Sequence, residues 1–276
     1  MSSSSTESDQ PAITFYDIAS KPGVGPWSPN TWKTRLCLNY KRLPYRTEFI
    51  SYPDIKPRMQ ALGAVPGYND PAHGGDVYTL PAITVTVRES EDKTIVDSLQ
   101  IAYYLDAHYP TTPRLIPPGT RALQLIFLRW FSQTIQTHVA DLACMSCPQA
   151  LDPRGAAYFL RTRAQWYNQA LEDWVPDDKR AEEWMKVRKG FGMLAMMYDQ
   201  AKIDLKGSDA DEDDEEVVWL MGDDPTFADF AVAACLLWIK KLVTDRPGEG
   251  WEAVSQWAGG RWARFLDKCE PYMCED

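Results

Sequence analysis

Residues 80–106 read LPAITVTVRESEDKTIVDSLQIAYYLD, and this stretch decides the fold. Residues 80–87 and 94–96 are rich in β-branched side chains, which predicts two neighbouring strands. Residues 99–108 follow with apolar side chains at helical spacing, which predicts a helix that closes the unit. The stretch therefore predicts a β-β-α arrangement.

The residues before this stretch predict a second half of the same unit. Residues 13–19 and 45–50 have the pattern of strands, and residues 30–42 between them carry Trp32, Leu36 and Tyr40 at helical spacing. A short helix is expected over 54–62 and a long loop over 63–78. Two strands joined by a crossover helix, followed by β-β-α, predict a compact α/β domain.

The residues after the proline-rich segment 111–121 predict a different kind of domain, because strand signals nearly vanish there. We expect helices over 122–143, 155–175, 181–205, 226–243 and 251–268, the last with a break at Gly259-Gly260. Thr226 and Asp229 have the spacing of a structural capping box. The predicted organisation is a disordered tail (1–11), an α/β domain (12–110), a linker (111–121) and an all-helical domain (122–276) with an acidic loop insertion (208–216).

Composition excludes several classes of protein. The chain has 276 residues, 45% of them apolar and 25% charged, which is typical of a globular protein with a sizeable core. Its net charge of -10 disfavours nucleic acid, and no uncharged apolar run reaches the ~20 residues that span a membrane. The N-terminal MSSSSTESDQ is not a signal peptide, so we expect a cytoplasmic protein. Three scattered histidines and six cysteines predict neither a metal site nor a disulfide framework.

Ser28 is the first candidate for chemistry. It precedes Pro29 at the start of the first predicted helix, and a capping role would explain this Ser-Pro pair. The same position also supports a functional interpretation, because a hydroxyl at a helix N-terminus can stabilise an anion such as a thiolate.

Two further candidates flank the deciding stretch. Pro81 interrupts a strand pattern, which indicates either an edge strand or a cis proline that exposes the Leu80 backbone to an extended peptide. Asp97 and Ser98 precede the last helix of the α/β domain. They can cap that helix, or Asp97 can bind an ammonium group while Ser98 and the helix amides bind a carboxylate.

The order of these signals resembles the glutathione transferases. The resemblance is carried by SPNTWKTRLCLNYK (28–41), YPDI (52–55), YTLPAI (78–83) and IVDSLQIAYYLD (95–106), and it extends over nearly the whole chain. These motifs are similar to those of the fungal-specific class A transferases of wood-decay fungi, an etherase-related branch. The implied fold is a thioredoxin-like domain followed by a helical bundle domain.

The resemblance also implies a glutathione site. Glutathione would be the co-substrate, with no metal, and the enzyme would be a homodimer. The implied roles are catalytic for Ser28 with Asn30 as its helper, backbone docking for Leu80 beside the cis residue Pro81, γ-glutamyl binding for Asp97 and Ser98, and carboxylate binding for Lys56. Serine in place of the cysteine of other relatives favours conjugation over thiol transfer.

Three functions follow as hypotheses. The first is a detoxifying transferase that attacks aromatic electrophiles and binds phenolic wood-derived compounds between the domains, with β-aryl ether cleavage as an alternative reaction. The second is a non-catalytic ligandin for polyphenols, and the third is a silent interaction module. We expect an aromatic substrate wall made by Trp27, Phe127, Trp130 and Phe131, with about half of these rings in the core. Cys144 and Cys147 have redox-motif spacing but end a helix and follow no strand, so we expect neither redox nor metal chemistry there, and we assign Cys37 to packing.

Overall fold

The computed structural model describes residues 12–71, 74–86, 92–171, 174–206, 218–243 and 246–275. The predicted tail over 1–11 and the predicted acidic insertion over 208–216 lie outside the described residues.

The N-terminal domain is built on a four-stranded mixed sheet. The described residues of this domain form the strands β1 (Ala12–Ile18), β2 (Tyr45–Ile50), β3 (Tyr68–Asp70), β4 (Gly75–Val77), β5 (Ala82–Thr86) and β6 (Lys93–Val96), of which β3 and β4 lie outside the four-stranded sheet. The sheet has the order β2-β1-β5-β6, in which β1 pairs with β2 in parallel and with β5 antiparallel. The helices are α1 (Pro29–Tyr40), α2 (Tyr52–Ala61) and α3 (Ser98–His108). This order confirms the predicted thioredoxin-like arrangement.

The hairpin of β3 and β4 was not predicted. It lies within the segment 63–78, which the sequence analysis assigned to a loop. Strands of three residues are too short to show an alternating pattern, so only their pairing reveals them.

The C-terminal domain contains helices and no strands longer than a single bridge among its described residues. The helices are α4 (Arg121–Phe131), α5 (Thr137–Ala143), α6 (Cys147–Ala150), α7 (Pro153–Tyr167), α8 (Asp177–Lys206), α9 (Phe227–Leu242), α10 (Gly250–Val254) and α11 (Trp257–Cys269). A π-helical turn, Ser132–Gln136, joins α4 to α5 where one long helix was predicted. The helices of the described residues confirm the predicted all-helical domain.

One helix end differs from the sequence expectation, and one predicted helix break is present. The helix predicted over 155–175 ends at Tyr167, because Asn168 adopts a left-handed conformation with φ 50°. The break predicted at Gly259-Gly260 is present, and Ala258, Gly259 and Gly260 all have positive φ inside the span of α11. Left-handed backbone of this kind is accessible to glycine without steric penalty.

Helix α9 is the centre of the C-terminal domain and packs against α1 of the N-terminal domain. All of its side chains are buried except Lys240 and Lys241 in its last turn. A helix that is apolar on every side has to be enclosed by other elements. The α1–α9 contact therefore fixes how the two domains sit together. Within the described ranges, no helix has the length and apolar character that a bilayer crossing requires.

The start of α9 is held by the buried carboxylate of Asp229. Tyr198 Oη and the Leu220 amide donate to its Oδ1, each at 2.9 Å. The amide and hydroxyl of Thr226 donate to its Oδ2, also at 2.9 Å, and the reciprocal capping box is formed. Asp229 therefore ties α8 and the segment before α9 to the central helix.

We predict that Asp229→Ala lowers the free energy of unfolding by at least about 3 kcal/mol, because several buried donors lose their acceptor and each unsatisfied donor costs ~1–3 kcal/mol. Urea titration followed by circular dichroism measures this change. The control is Asp223→Ala, an exposed position close to α9 in the sequence, with an expected change within about 0.5 kcal/mol. Equal stability of the two variants would contradict the assigned role of Asp229.

Candidate functional site

Ser28 lies at the N-cap position of α1, directly before Pro29. Its carbonyl accepts from the Trp32 amide at 3.0 Å, and its side chain makes no capping hydrogen bond. The residue is 4% exposed, yet it lines two cavities. The capping interpretation of the Ser28 side chain therefore does not hold, and the hydroxyl lies at the positive end of the α1 dipole without a helix amide as its partner.

The two cavities meet beside Ser28. The sheet-side cavity, about 270 Å³, is lined by Lys56 of α2, by the segment from Val77 to Leu80 and by residues of α7. The helical-side cavity, about 410 Å³, is lined by Trp27, by the stretch that follows α4, and by aromatic residues of the C-terminal domain. The residues common to both cavities are Ser28, Asn30, Tyr52 and Arg163.

Four of the predicted residues lie together. Ser28, Asn30, Lys56 and Leu80 all line the sheet-side cavity. The Leu80–Pro81 peptide bond is cis. The alternative that Pro81 marks an edge strand is wrong, because β5 pairs with β1 on one side and with β6 on the other.

Asp97 and Ser98 lie at the start of α3, outside the lining of both cavities. Asp97 Oδ1 accepts from the amides of Leu99 and Gln100, each at 3.0 Å, so the carboxylate caps α3. The Asp97 amide donates to the carbonyl of Pro81 at 3.3 Å, which places Asp97 next to the Leu80–Pro81 peptide. Both capping bonds use Oδ1, and capping therefore leaves Oδ2 unoccupied.

The predicted aromatic wall differs from the one that the structure provides. Trp27 lines the helical-side cavity, but Phe127, Trp130 and Phe131 are not among the lining residues of either cavity. Phe127 stacks on Phe131 with centroids 5.9 Å apart, and both are buried. The reason is that α4 packs against α9, so the cavity is formed from the next turns of the chain, Ser132 to Cys147.

Tyr52 and Arg163 are residues of the site that the sequence analysis did not single out. Tyr52 belongs to the quoted YPDI motif, which offered a signal, whereas Arg163 lies on α7 within no motif. The Tyr52 ring stacks on Tyr158 and meets Phe159 edge-on, with centroids 6.4 and 5.5 Å away. Burial raises the pKa of the Tyr52 hydroxyl well above its usual value, and the Arg163 charge only partly opposes this. Tyr52 is therefore a neutral hydrogen-bond donor at neutral pH.

Cys144 and Cys147 both line the helical-side cavity, and neither is in a disulfide. Burial raises the pKa of both thiols, most strongly that of Cys147, whose Sγ donates to the Ala143 carbonyl at 3.5 Å. Reactivity of a cysteine requires the thiolate, so these environments argue against the redox chemistry that the spacing of the pair suggests.

One group of side chains has the composition of a metal site. The ligand atoms of His138, Asp141 and Glu183 lie within 4.8 Å of one another. Glu183 is already paired with His138 at 2.9 Å and with the Lys186 ammonium at 2.6 Å, and Asp141 accepts from the Trp174 indole at 2.9 Å. A cation would have to displace the Lys186 charge, so the group is an ion-pair network in this arrangement.

Two sequence families match the chain. Residues 27–108 match the family "Glutathione S-transferase, N-terminal domain", and residues 122–272 match "Glutathione S-transferase, C-terminal domain". From Trp27 onward, every described residue that lines either cavity lies within these two matched ranges.

Individual relatives match over almost their whole length. The glutathione S-transferase-like protein ustS of Aspergillus flavus is 33% identical over 273 residues, which is 93% of this chain and 94% of the relative. A glutathione S-transferase of Ceriporiopsis subvermispora, solved in complex with glutathione, is 37% identical with a TM-score of 0.82, covering 95% of this chain and 98% of that one. Glutathione transferase GSTFuA3 of Phanerochaete chrysosporium is 33% identical with a TM-score of 0.81, covering 96% and 98%.

Proposed function

We propose that this chain, which belongs to the glutathione S-transferase family, transfers glutathione to aromatic electrophiles with Ser28 at the catalytic position. The family matches and the fungal relatives confirm the resemblance predicted from the sequence. The proposal includes a homodimer that acts in detoxification of xenobiotics, as the resemblance implies, and a cytoplasmic location, as the sequence analysis expects.

The observation that carries the proposal is the position of the Ser28 hydroxyl. It lies at the N-terminus of α1 and makes no capping hydrogen bond, and Ser28 lines both cavities. A hydroxyl donor and the helix dipole both favour a thiolate over a thiol. Lowering a thiol pKa from about 8.5 towards neutrality raises the reactive fraction at pH 7 from a few per cent to about half. Asn30, in the same turn, would assist.

The sheet-side cavity would hold glutathione. Lys56 would bind the glycine carboxylate, and the Leu80 backbone would pair with the cysteine backbone of the tripeptide. Asp97, through the Oδ2 atom that capping leaves open, would bind the γ-glutamyl ammonium together with Ser98. The relative from Ceriporiopsis subvermispora that was solved in complex with glutathione supports glutathione as the ligand.

The helical-side cavity supports a second candidate function, that of a ligandin for polyphenols. Its volume of about 410 Å³ is sufficient for a small planar molecule, and Trp27, Trp174 and Trp238 are among its lining residues. Aromatic walls bind phenols by stacking and apolar burial. Cleavage of a β-aryl ether is the alternative reaction at the same site, with a phenolate as the leaving group.

We predict that Ser28→Ala lowers turnover of 1-chloro-2,4-dinitrobenzene at least tenfold, about 1.4 kcal/mol, while glutathione still binds. Steady-state rates and calorimetric titration with glutathione measure the two quantities. Ser255→Ala, outside both cavities, is the matched control and should retain the parent rate. Undiminished turnover in Ser28→Ala would transfer the activating role to Asn30 or to the α1 amides, which the Ser28→Ala, Asn30→Ala double variant tests.

We predict that Asp97→Asn weakens glutathione binding about tenfold, the loss of one charge-assisted contact. Asparagine keeps a side-chain oxygen for capping α3, so the variant separates the charge from the cap. The affinity is measured by calorimetry, with the exposed Asp92→Asn as the control. Asp97→Asn with the affinity of the parent protein would remove Asp97 from the glutathione site.

We predict that flavonoid-like or lignin-related phenols bind with Kd in the micromolar range, roughly -8 kcal/mol, and compete with the electrophile. Inhibition kinetics at varied electrophile concentration and thermal shifts with and without glutathione measure this binding. Trp27→Ala should weaken it, because the indole lines the helical-side cavity. Purely non-competitive inhibition that Trp27→Ala leaves unaltered would place the phenols elsewhere and exclude the ligandin function of this cavity.

A further inference from the structure

Arg163 is the cation at the junction of the two cavities. Of the four residues that line both, Ser28 and Asn30 are uncharged, and Tyr52 keeps its proton at neutral pH. Among the described residues that line the helical-side cavity, Arg163 carries the one positive charge. A negatively charged ligand in this cavity would therefore be attracted to the Arg163 guanidinium.

Aromatic rings hold the Arg163 guanidinium in place. Its Cζ lies 4.5 Å from the centroid of the Phe159 ring and 4.0 Å from that of Trp166. Such cation–π contacts attract the positive charge and do not use the N–H donors of the guanidinium. The rings therefore hold Arg163 in place without satisfying its hydrogen-bonding capacity.

The N–H donors of Arg163 have no protein acceptor in the part of the chain that the structure describes. Arg154, on the same helix, is paired in a bidentate manner with Asp54 at 2.9 Å. Arg180 is paired with Glu249 at 2.5 Å. Arg163 thus differs from these two arginines, because its charge is directed into a cavity and not onto a carboxylate of the protein.

The electrostatic influence of Arg163 spreads across the cleft. Its charge opposes the rise in pKa that burial imposes on Tyr52, Cys144, Cys147 and Tyr167. Asp141 is the carboxylate among the described residues that line this cavity; burial raises its pKa, the hydrogen bond from the Trp174 indole opposes that rise, and its charged neighbours are Glu183, His138 and Lys186. Asp141 therefore belongs to a separate group and does not neutralise Arg163.

We propose that Arg163 is an anion-binding residue that makes the cleft selective for aromatic electrophiles carrying a carboxylate. The planar guanidinium presents paired donors that match the two oxygens of a carboxylate, and Tyr52 supplies a neutral donor from the opposite domain. The aromatic ring of such a ligand would lie against the tryptophan-lined wall of the helical-side cavity. This inference rests on the proposed transferase function and adds the chemical class of the second substrate.

The test uses two electrophiles of nearly equal shape, 4-chloro-3-nitrobenzoate and its neutral amide, 4-chloro-3-nitrobenzamide. In both, the glutathione sulfur forms a bond to the ring carbon, chloride leaves with the electron pair of the C–Cl bond, and the thiol proton passes to solvent. The measured quantity is kcat/KM for the carboxylate divided by kcat/KM for the amide. We expect Arg163→Gln to lower this ratio at least tenfold, mainly through KM for the carboxylate, and Arg163→Lys to give an intermediate value.

The matched control is Arg161→Gln, an exposed arginine two residues earlier on α7 that lines neither cavity. Its ratio should equal that of the parent protein. Circular dichroism and thermal unfolding verify that each variant is folded. An unchanged ratio in Arg163→Gln would overturn the inference, and so would a rise in KM for glutathione alone, since Arg163 would then serve the co-substrate.

A binding experiment separates this inference from the proposed function. Calorimetry with 3-nitrobenzoate and 3-nitrobenzamide, which lack the leaving group, measures anion recognition in the glutathione-saturated protein without turnover. The anion site is supported if the parent protein binds the benzoate more tightly than the amide and Arg163→Gln abolishes this difference. This outcome holds even if neither aryl chloride is turned over and the transferase proposal fails. Equal affinity for the two compounds in the parent protein would refute the anion site while leaving transferase activity intact.

Discussion

The burial of α1 between the sheet and α9 is the constraint on which the site depends. Inside this interface, Arg35 of α1 pairs with Asp17 of β1 at 3.0 Å, and both side chains are almost fully enclosed. The Arg35 guanidinium also donates to the Glu275 carbonyl near the C-terminus at 3.1 Å. Burial raises the pKa of Asp17, and the Arg35 charge opposes that rise. Buried pairs of this kind are weak evidence for stability, because desolvation offsets their attraction. We therefore assign the pair to the orientation of α1.

An oriented α1 determines where Ser28, the proposed catalytic residue, lies. Its N-terminus, with Ser28, faces the gap between α2 of the first domain and α7 of the second. A second buried pair, Lys41 with Asp106 at 2.8 Å, joins the end of α1 to α3. Asp106 also accepts from the amides of Leu115 and Ile116, so the interdomain segment is held by the same network. The cleft is thus a consequence of how the two domains pack, and residues of both domains line it.

The sequence predicted those features that depend on a few consecutive residues. Ser28 before Pro29, Pro81 at a strand start and Asp97 before a helix each carry a local signal, since caps and prolines act over one turn of chain. The signal did not distinguish a capping hydroxyl from a free one at Ser28, because that depends on a side-chain rotamer.

Features that depend on tertiary packing were not predictable in this way. Helical periodicity shows that Phe127 and Phe131 share a face with the core, but not which helix that face meets. It also gave no reason to choose Arg163 over Arg161, because only the packing of α7 against α2 directs one of them into the cleft. The predicted end of the first domain at residue 110 and start of the second at residue 122 stay predictions. The roles assigned to the individual site residues stay predictions as well.

The side chains of the cleft agree with the proposed role of glutathione as the attacking nucleophile. Serine at position 28 cannot form a mixed disulfide with glutathione, but Cys144 and Cys147 line the same cleft and contain the required sulfur. Burial raises the pKa of both thiols, and the nearby Arg163 charge is insufficient to reverse this. Only the thiolate attacks a disulfide or an electrophile, so a raised pKa keeps both cysteines protonated and unreactive. By contrast, Ser28 and the α1 dipole would favour ionisation of a thiol bound beside them. The aromatic side chains that line the same cavity are then suited to the aromatic part of a second substrate.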